Sequence, residues 1–500
     1  MDLWTVAGAT SGLFAAAEGV TTSVELATQA TALRKMHVED VLLPVMIQIG
    51  IILLVARMAS LLFRRFGQSG VVGEIAAGLF LGPSVFGRFF PDHWGMVFHP
   101  QPHDPAVAAA LFDATLHWVF TILSQIGLML LLFLVGLEFE FRHLKQHARS
   151  AFSISLAGLL LPFGLGSLLA LWMYPRLVDS ANPSSGPPFL GFVLFLGTAM
   201  SITALPILGR LMMELNLTRT RVGAITITAA AMDDAAGWIL LAAVTSVVRG
   251  NFEVWQTLKM LGQTLLFAGG MLLVARPLLV RWARTVVKDG ELTLNGLAAT
   301  LVLVLACGLV TNLIGIFAIF GAFLFGAVMS TEEGFREAVN KRLRDFVTVF
   351  FLPIFFTYTG LRTDVQSLAT PELWLMCGLV LAAAIVGKFV GCGVAARLSG
   401  FPPREAACIG AMMNTRALME LIVINVGYQL GVIPHSVFCM LVIMALVTTV
   451  MTTPILLRLA RGTSLWPDIE RSIFVQGEAT LLAAPAVPRA GGPEPIQGHP

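Results

Sequence analysis

Residues 229–241 read Ala-Ala-Ala-Met-Asp-Asp-Ala-Ala-Gly-Trp-Ile-Leu-Leu, which places Asp233 and Asp234 side by side in a stretch otherwise apolar enough to cross a bilayer. One ionised carboxylate at the centre of a membrane costs roughly 2.5–3.5 kcal/mol on insertion scales. Charged residues persist at that depth where they serve an ion or proton pathway or pair with another charge. The pair therefore predicts an ion or proton site inside a membrane protein.

The composition agrees with a membrane location for most of the chain. Hydrophobic residues make up 56% of the 500 residues and charged residues 12%, and the mean hydropathy is +0.82. Apolar runs of about 20 residues recur, which predicts an all-α polytopic membrane protein with about 13 transmembrane helices. They lie near 41–63, 71–90, 118–139, 152–174, 188–213, 222–248, 258–280, 291–311, 313–330, 345–361, 371–396, 404–430 and 435–457.

Basic residues fall on alternate loops between these runs. The stretches 64–65, 142–149, 210–221, 281–288 and 336–344 are rich in Lys and Arg. By the positive-inside rule they face the cytoplasm, so the N-terminus is expected outside and the C-terminus inside. A bacterial cytoplasmic membrane is the expected location. The net charge of +2 reflects this loop asymmetry and gives no reason to expect a nucleic-acid partner.

Two tails flank the membrane domain, which is expected over residues 39–460. Residues 1–38 form an extracytoplasmic segment in which Gly12 to Leu33 are expected to form a surface helix. Residues 461–500 turn rich in Pro and Gly, and are expected to form a disordered cytoplasmic tail.

Polar residues interrupt two of the predicted helices at mid-depth. The fifth contains Thr-Ala-Met-Ser-Ile-Thr-Ala-Leu-Pro at 198–206, and the twelfth contains Gly-Ala-Met-Met-Asn-Thr-Arg-Ala-Leu-Met-Glu at 410–420. Such breaks let transporters aim helix ends and free carbonyls at an ion. We expect two inverted six-helix repeats with crossed broken helices, joined by the seventh segment. The polar residues of the breaks are Ser201, Thr203, Asn414, Thr415, Arg416 and Glu420.

Lys388 lies in the middle of the eleventh apolar segment and needs a negative partner. Because successive helical residues are about 100° apart, one of Asp233 and Asp234 can face Lys388 while the other faces an ion. Two carboxylates and one ammonium leave a net charge of minus one. A proton or a monovalent cation can neutralise it, and their competition for one site is the physical basis of antiport.

Several of these residues have alternative interpretations. Ser201 and Thr203 either ligate the ion or satisfy the broken backbone, and Lys388 either takes part in proton transfer or is a structural counter-ion. Arg416 is expected to bond to Glu420 or to Glu74, in a structural role. Glu74 is expected to lock helices together. The five cysteines are expected to be core residues, and neither a cofactor nor a structural metal is expected.

Residues 40–460 resemble the cation:proton antiporter 2 family, within it the cation/proton exchanger subgroup. The matching stretches are 68–84, 131–138, 201–210, 229–241, 359–363 and 414–423. The resemblance implies that Asp234 binds the ion and that Asp233 pairs with Lys388. It also implies a homodimer, with a dimer domain of residues 41–139 and 291–361, a moving core domain of 152–248 and 371–457, and a linker helix at 258–280.

We therefore expect a secondary active antiporter that exchanges Na⁺ or K⁺ for protons by alternating access, in the service of pH homeostasis, and not an enzyme. A non-transporting membrane sensor and a cation channel of the same fold are the alternatives. An intramembrane aspartyl protease is disfavoured, because its two aspartates must face each other from separate helices. A channel needs repeated polar rings along a pore, whereas the polar residues here converge at one depth.

Overall fold

The structure, a computed structural model, describes residues 38–66, 68, 70–100, 109–138, 148–178, 187–218, 220–249, 254–288, 290–416 and 418–472. The predicted N-terminal surface helix and the tail beyond residue 472 lie outside the described residues. The first helices are α1 (Val38–Arg65), α2 (Gly70–Leu81), α3 (Phe86–Phe89), α4 (Pro91–Phe98), α5 (Ala109–Leu137), α6 (Ala148–Leu177), α7 (Phe189–Ser201), α8 (Leu205–Glu214), α9 (Arg221–Arg249) and α10 (Val254–Gly269).

A π-helical stretch, Gly270–Ala275, joins α10 to α11, and a two-stranded hairpin follows α11. The remaining elements are α11 (Arg276–Val286), β1 (Val287–Lys288), β2 (Glu291–Leu292), α12 (Leu294–Ile314), α13 (Ala318–Met329), α14 (Glu333–Phe346), a π-helical stretch (Val347–Phe351), α15 (Leu352–Leu361), a 3₁₀ turn (Val365–Ser367), α16 (Pro371–Leu398), α17 (Pro403–Met413), α18 (Leu418–Gln429), α19 (His435–Ala460) and α20 (Trp466–Glu470).

Ten helical stretches among the described residues are long and apolar enough to cross a membrane. Two shorter apolar helices, Phe189–Ser201 and Ala318–Met329, add to them. The chain is therefore an integral membrane protein whose described part is almost wholly helical. The antiparallel pairing of Val287 with Leu292 is a small departure from the all-α prediction.

The long helices pack as two groups. In the first, which we call the scaffold bundle, α2 lies between α1 and α15, and α13 packs on α5 and α12. In the second, the core bundle, α6 and α9 pack on α7, while α16 and α17 pack on α19. The core bundle consists of α6 to α9 and α16 to α19. The exposed helix α10 contacts α9 on one side and α12 on the other, and so connects the two groups.

Glycines allow a close helix crossing in the scaffold bundle, between α2 and α15. A Cβ atom added at Gly78 would lie 2.8 Å from the Cα atoms of both Thr357 and Gly360. The backbones of α2 and α15 can therefore approach only because these positions lack side chains.

The predicted tail and one predicted helix need correction. Residues 461–472 are ordered: Leu465 and Ile469 are 1% and 0% exposed, and the Arg461 guanidinium stacks over the Trp466 ring at 5.5 Å. The expectation of a disordered tail is therefore wrong for residues 461–472, because Leu465 and Ile469 pack this segment against the rest of the described structure. The predicted helix 71–90 matches the apolar span Gly70–Phe89, but the helix is interrupted after Leu81, at the Gly82-Pro83 pair, and resumes at Phe86.

Candidate functional site

The two interrupted helices cross at their breaks. Helix α7 ends at Ser201, Ile202 is extended (φ −82°, ψ 143°), and α8 starts at Leu205. Pro206 in the first turn of α8 explains the break, since proline lacks an N–H and disfavours helical geometry in the residue before it. In the other broken helix, α17 ends at Met413 and α18 starts at Leu418.

A backbone hydrogen bond joins the two breaks. The Ala204 N–H donates to the Thr415 carbonyl at 3.0 Å. The Thr203 hydroxyl oxygen lies 3.2 Å from the Met413 carbonyl oxygen. Each extended segment thereby satisfies polar backbone groups that the break in the other helix has released, which is the condition for irregular backbone at membrane depth.

Asp233 is fully buried beside this crossing, and both of its carboxylate oxygens accept hydrogen bonds. It accepts hydrogen bonds from the Ser155 hydroxyl at 3.1 Å and from the Thr203 hydroxyl at 2.6 Å. The Lys388 ammonium donates to it as well and forms an ion pair with it, both side chains being 0% exposed. Through these bonds Asp233 connects its own helix, α9, to α6, to α16 and to the extended segment after α7.

Asp234 has a different environment although it is the next residue. It is 2% exposed, and neither of its carboxylate oxygens has a hydrogen-bond partner in the described part of the chain. The first turn of α8, at Leu205, lies beside this carboxyl. Asn414, in the other break, also has a buried side-chain oxygen without a partner among the described residues.

Arg416 caps the end of the first broken helix. Its guanidinium donates to the carbonyls of Ala199 at 3.3 Å and Met200 at 2.7 Å, near the C-terminus of α7. It also pairs with Glu420 at 3.1 Å, and both side chains are 0% exposed. A cation at this place complements the negative end of the α7 dipole and the carbonyls that the break leaves free.

The other predicted site residues make hydrogen bonds to the backbone. The Ser201 hydroxyl donates to the Thr198 carbonyl of its own helix at 2.8 Å, and the Thr415 hydroxyl donates to Met412 at 2.7 Å. Both therefore satisfy local backbone. Glu74 is in the scaffold bundle, where its backbone carbonyl accepts from the Thr357 hydroxyl at 3.3 Å.

Sequence reasoning missed one residue of the site, Ser155. It lies on α6, 78 positions before Asp233 in the chain. A single serine in an apolar helix is ordinary in membrane proteins, so no local signal separates Ser155 from serines that only bond to their own backbone.

Buried carboxylates, a lysine and two crossed broken helices are features of ion-coupled membrane transporters. The family profile described as "Sodium/hydrogen exchanger, transmembrane" matches residues 50–459. The chain belongs to this family.

Curated relatives are named as antiporters. The Na⁺/H⁺ antiporter NhaS4 of Synechocystis sp. is 36% identical over 420 residues, which cover 84% of this chain and 98% of that protein. Cation/H⁺ antiporter 20 of Arabidopsis thaliana is 36% identical over 432 residues, covering 83% of this chain and 49% of the relative. K⁺/H⁺ antiporter 1 of Saccharomyces cerevisiae is 29% identical over 413 residues, covering 82% of this chain and 45% of the relative. The chain thus spans about half the length of the plant and yeast relatives.

A solved structure shares the fold. The sodium proton antiporter MjNhaP1 of Methanocaldococcus jannaschii superimposes with a TM-score of 0.57 at 15% identity, over 85% of this chain and 98% of that one.

Proposed function

We propose that this protein is a secondary antiporter that exchanges a monovalent cation for protons, and that Asp234 carries both in turn. The observation that carries the proposal is the contrast between the two aspartates. Asp233 accepts hydrogen bonds from Ser155, Thr203 and Lys388, whereas Asp234 is buried with two carboxylate oxygens that have no hydrogen-bond partner among the described residues. An unpaired buried carboxylate is costly, and binding a proton or a cation removes that cost.

The charges of the site support competition between the two substrates. With Asp233 and Asp234 ionised and Lys388 protonated, the site carries a net charge of minus one. One proton or one monovalent cation neutralises it, and occupation by one excludes the other. The side-chain oxygen of Asn414 is a second candidate ligand, because it is buried and has no partner among the described residues.

The substrate cation is proposed to be Na⁺ or K⁺. Relatives whose names carry each ion match over more than four-fifths of the chain. Sodium and potassium both prefer oxygen ligands, and the carboxylate, amide and carbonyl groups around the breaks are oxygen donors. The proposed physiological consequence is pH homeostasis by transport, not catalysis of a chemical reaction.

The proposed architecture has thirteen membrane crossings. It adds the two broken helices and the short helix α13 to the ten long spans, and arranges segments 1–6 and 8–13 as inverted repeats. The N-terminus lies outside and the C-terminus inside, as the basic loops suggest. The scaffold bundle serves as the dimer domain of a homodimer, and the core bundle moves against it, with residues 258–280 as the linker.

The test is dissipation of an imposed pH gradient in proteoliposomes on addition of Na⁺, K⁺ or choline. We expect a response to Na⁺ or K⁺, none to choline, and loss of the response in Asp234→Asn protein that elutes as a folded species. Cation-dependent proton flux retained by Asp234→Asn refutes the role of Asp234. Lack of any cation response in folded wild-type protein refutes antiport and favours a sensor.

A further inference from the structure

The core bundle touches the scaffold bundle through polar side chains along one face of α18. The Asn425 amide donates to the Thr359 hydroxyl of α15 at 3.1 Å. One helical turn further along α18, the side-chain oxygen of Gln429 accepts a hydrogen bond from the Gln125 amide of α5 at 3.5 Å. Positions 425, 428 and 429 lie on the same side of a helix. This face of α18 is therefore held to the scaffold by individual contacts that can break one by one.

Arg362 contacts α18 between the hydrogen bonds of Asn425 and Gln429. Its guanidinium lies 4.8 Å from the centre of the Tyr428 ring of α18 and 5.5 Å from that of Tyr358 of α15. The scaffold side of this arrangement is fixed, because Tyr358 is 6% exposed and its hydroxyl donates to the His117 carbonyl at 3.2 Å. In the described part of the chain Arg362 has no carboxylate partner within ion-pair distance. Its contacts with the two rings are cation–π contacts.

Helix α18 connects this contact to the ion site. Glu420, near the start of α18, pairs with Arg416, which holds the Ala199 and Met200 carbonyls at the end of α7. A helix is rigid over this length, so a displacement at Tyr428 moves the broken helices beside Asp234. A cation–π contact is lost once the cation is more than about 6 Å from the ring, so a small displacement of α18 is enough to release it.

We propose that Arg362 is a positioning residue for transport: it clamps Tyr428 of the core bundle to Tyr358 of the scaffold and holds the conformation in which Asp234 is buried. The clamp must open for the core bundle to move and close again in each cycle. This inference rests on the proposed antiport.

The test uses cysteines at Gln125 and Gln429, joined by a short bismaleimide with a central disulfide. Both positions flank the clamp, and the five native cysteines are buried. We expect the rate of cross-linking to fall about two- to fivefold when Arg362→Gln or Tyr428→Leu is added, which is the loss expected from one partly exposed cation–π contact. Tyr428→Phe is the matched control, since it keeps the ring, and should cross-link at the parental rate.

The second measurement is exchange by the cross-linked protein. Exchange should stop on cross-linking and return when the linker is reduced. The proposed role of Arg362 is refuted if the cross-linking rates are equal with and without Arg362→Gln. It is also refuted if cross-linked protein shows full exchange. The two proposals fail separately: if no variant shows cation-dependent proton flux, antiport is refuted, while the cross-linking rates still decide whether Arg362 joins the bundles.

Discussion

Asp233 and Asp234 are adjacent in the chain, yet the first accepts three side-chain hydrogen bonds and the second accepts none from the described residues. The helical turn between them, about 100°, sends one carboxylate toward Lys388 and the other away from it. One side chain is thereby committed to holding helices together, and the other is free to bind and release a substrate.

The first prediction concerns the Asp233–Lys388 pair. Lys388→Met leaves Asp233 as an unpaired buried charge, and Asp233→Asn leaves Lys388 in the same condition. Each should lower the free energy of unfolding by about 3–5 kcal/mol. The double variant Asp233→Asn/Lys388→Met should recover most of that loss. Thermal unfolding in detergent measures all three.

Asp234→Asn is the matched control for this set. It replaces a buried carboxylate that has no described hydrogen-bond partner, so its thermal stability should equal or exceed that of the wild type. Additive losses in the Asp233/Lys388 double variant would show that the two residues do not act as a pair.

The second prediction concerns Gly158 on α6. A Cβ atom at this position would overlap the Cys392 sulfur and lie 3.7 Å from the Lys388 ammonium nitrogen. Gly158→Ala should therefore destabilise the protein by about 1–3 kcal/mol through overpacking, and slow exchange by shifting Lys388. Initial exchange rates and unfolding temperatures give the two quantities.

Gly164→Ala, on the same helix, has open space within 4 Å and should leave both quantities near the wild-type values. Removing the obstructing sulfur with Cys392→Ala should rescue Gly158→Ala. Failure of that rescue would mean that the effect arises from the α6 backbone and not from crowding at Lys388.

The third prediction concerns Trp238, four residues after Asp234 on α9. Its ring packs on Phe320 and Phe323 of α13 at centroid distances of 5.3 and 5.7 Å, across the boundary between the bundles. Trp238→Ala should open this boundary, lower stability by about 3–5 kcal/mol, and raise proton leak in the absence of cation. Trp238→Phe should keep the leak low.

Ile239 is the neighbouring control, because it is 71% exposed on the outer face of α9. Ile239→Ala should change neither leak nor stability appreciably. A wild-type leak rate in folded Trp238→Ala protein would show that this aromatic contact does not seal the site.

The fourth prediction concerns Arg416. Arg416→Met leaves the Glu420 carboxylate buried and unpaired and removes the donor to the Ala199 and Met200 carbonyls. A loss of about 3–5 kcal/mol is expected, as for other broken buried pairs. Arg416→Lys should restore only part of it, since an ammonium lacks the planar fork that reaches several acceptors. Equal stability of the Lys variant and the wild type would contradict the capping role.

The helical membrane fold could be predicted from sequence because its physical cause is local. A run of about 20 apolar residues must form a helix in lipid, since each backbone polar group has to be satisfied within the segment. Pro206 and the polar residues at 414–416 likewise marked the two breaks. Boundaries are less predictable. The composition of residues 461–472 predicts disorder, whereas the structure buries Leu465 and Ile469, because their packing depends on helices distant in the chain.

Most residues of the candidate site could be predicted from the sequence, but the hydrogen bonds between them could not. A charged residue within an apolar membrane segment can be recognised from the sequence. Asp233, Asp234, Lys388 and Arg416 could therefore be predicted as site residues. Residue spacing left open which aspartate faces Lys388, and whether Thr203 satisfies the broken backbone or ligates the ion. It did not indicate the hydrogen bond from Thr203 to Asp233. Ser155 gave no signal, since its role depends on how α6 packs against α9.

The membrane location, the places where the helices break and the buried charged residues all follow from the amino-acid sequence, because the cost of burying each group in lipid depends on that group alone. The pairing of Lys388 with Asp233, the capping of α7 by Arg416 and the position of Arg362 between two tyrosines could be seen only in the folded chain. These contacts join residues far apart in the chain, and their geometry is set by how the helices pack against one another.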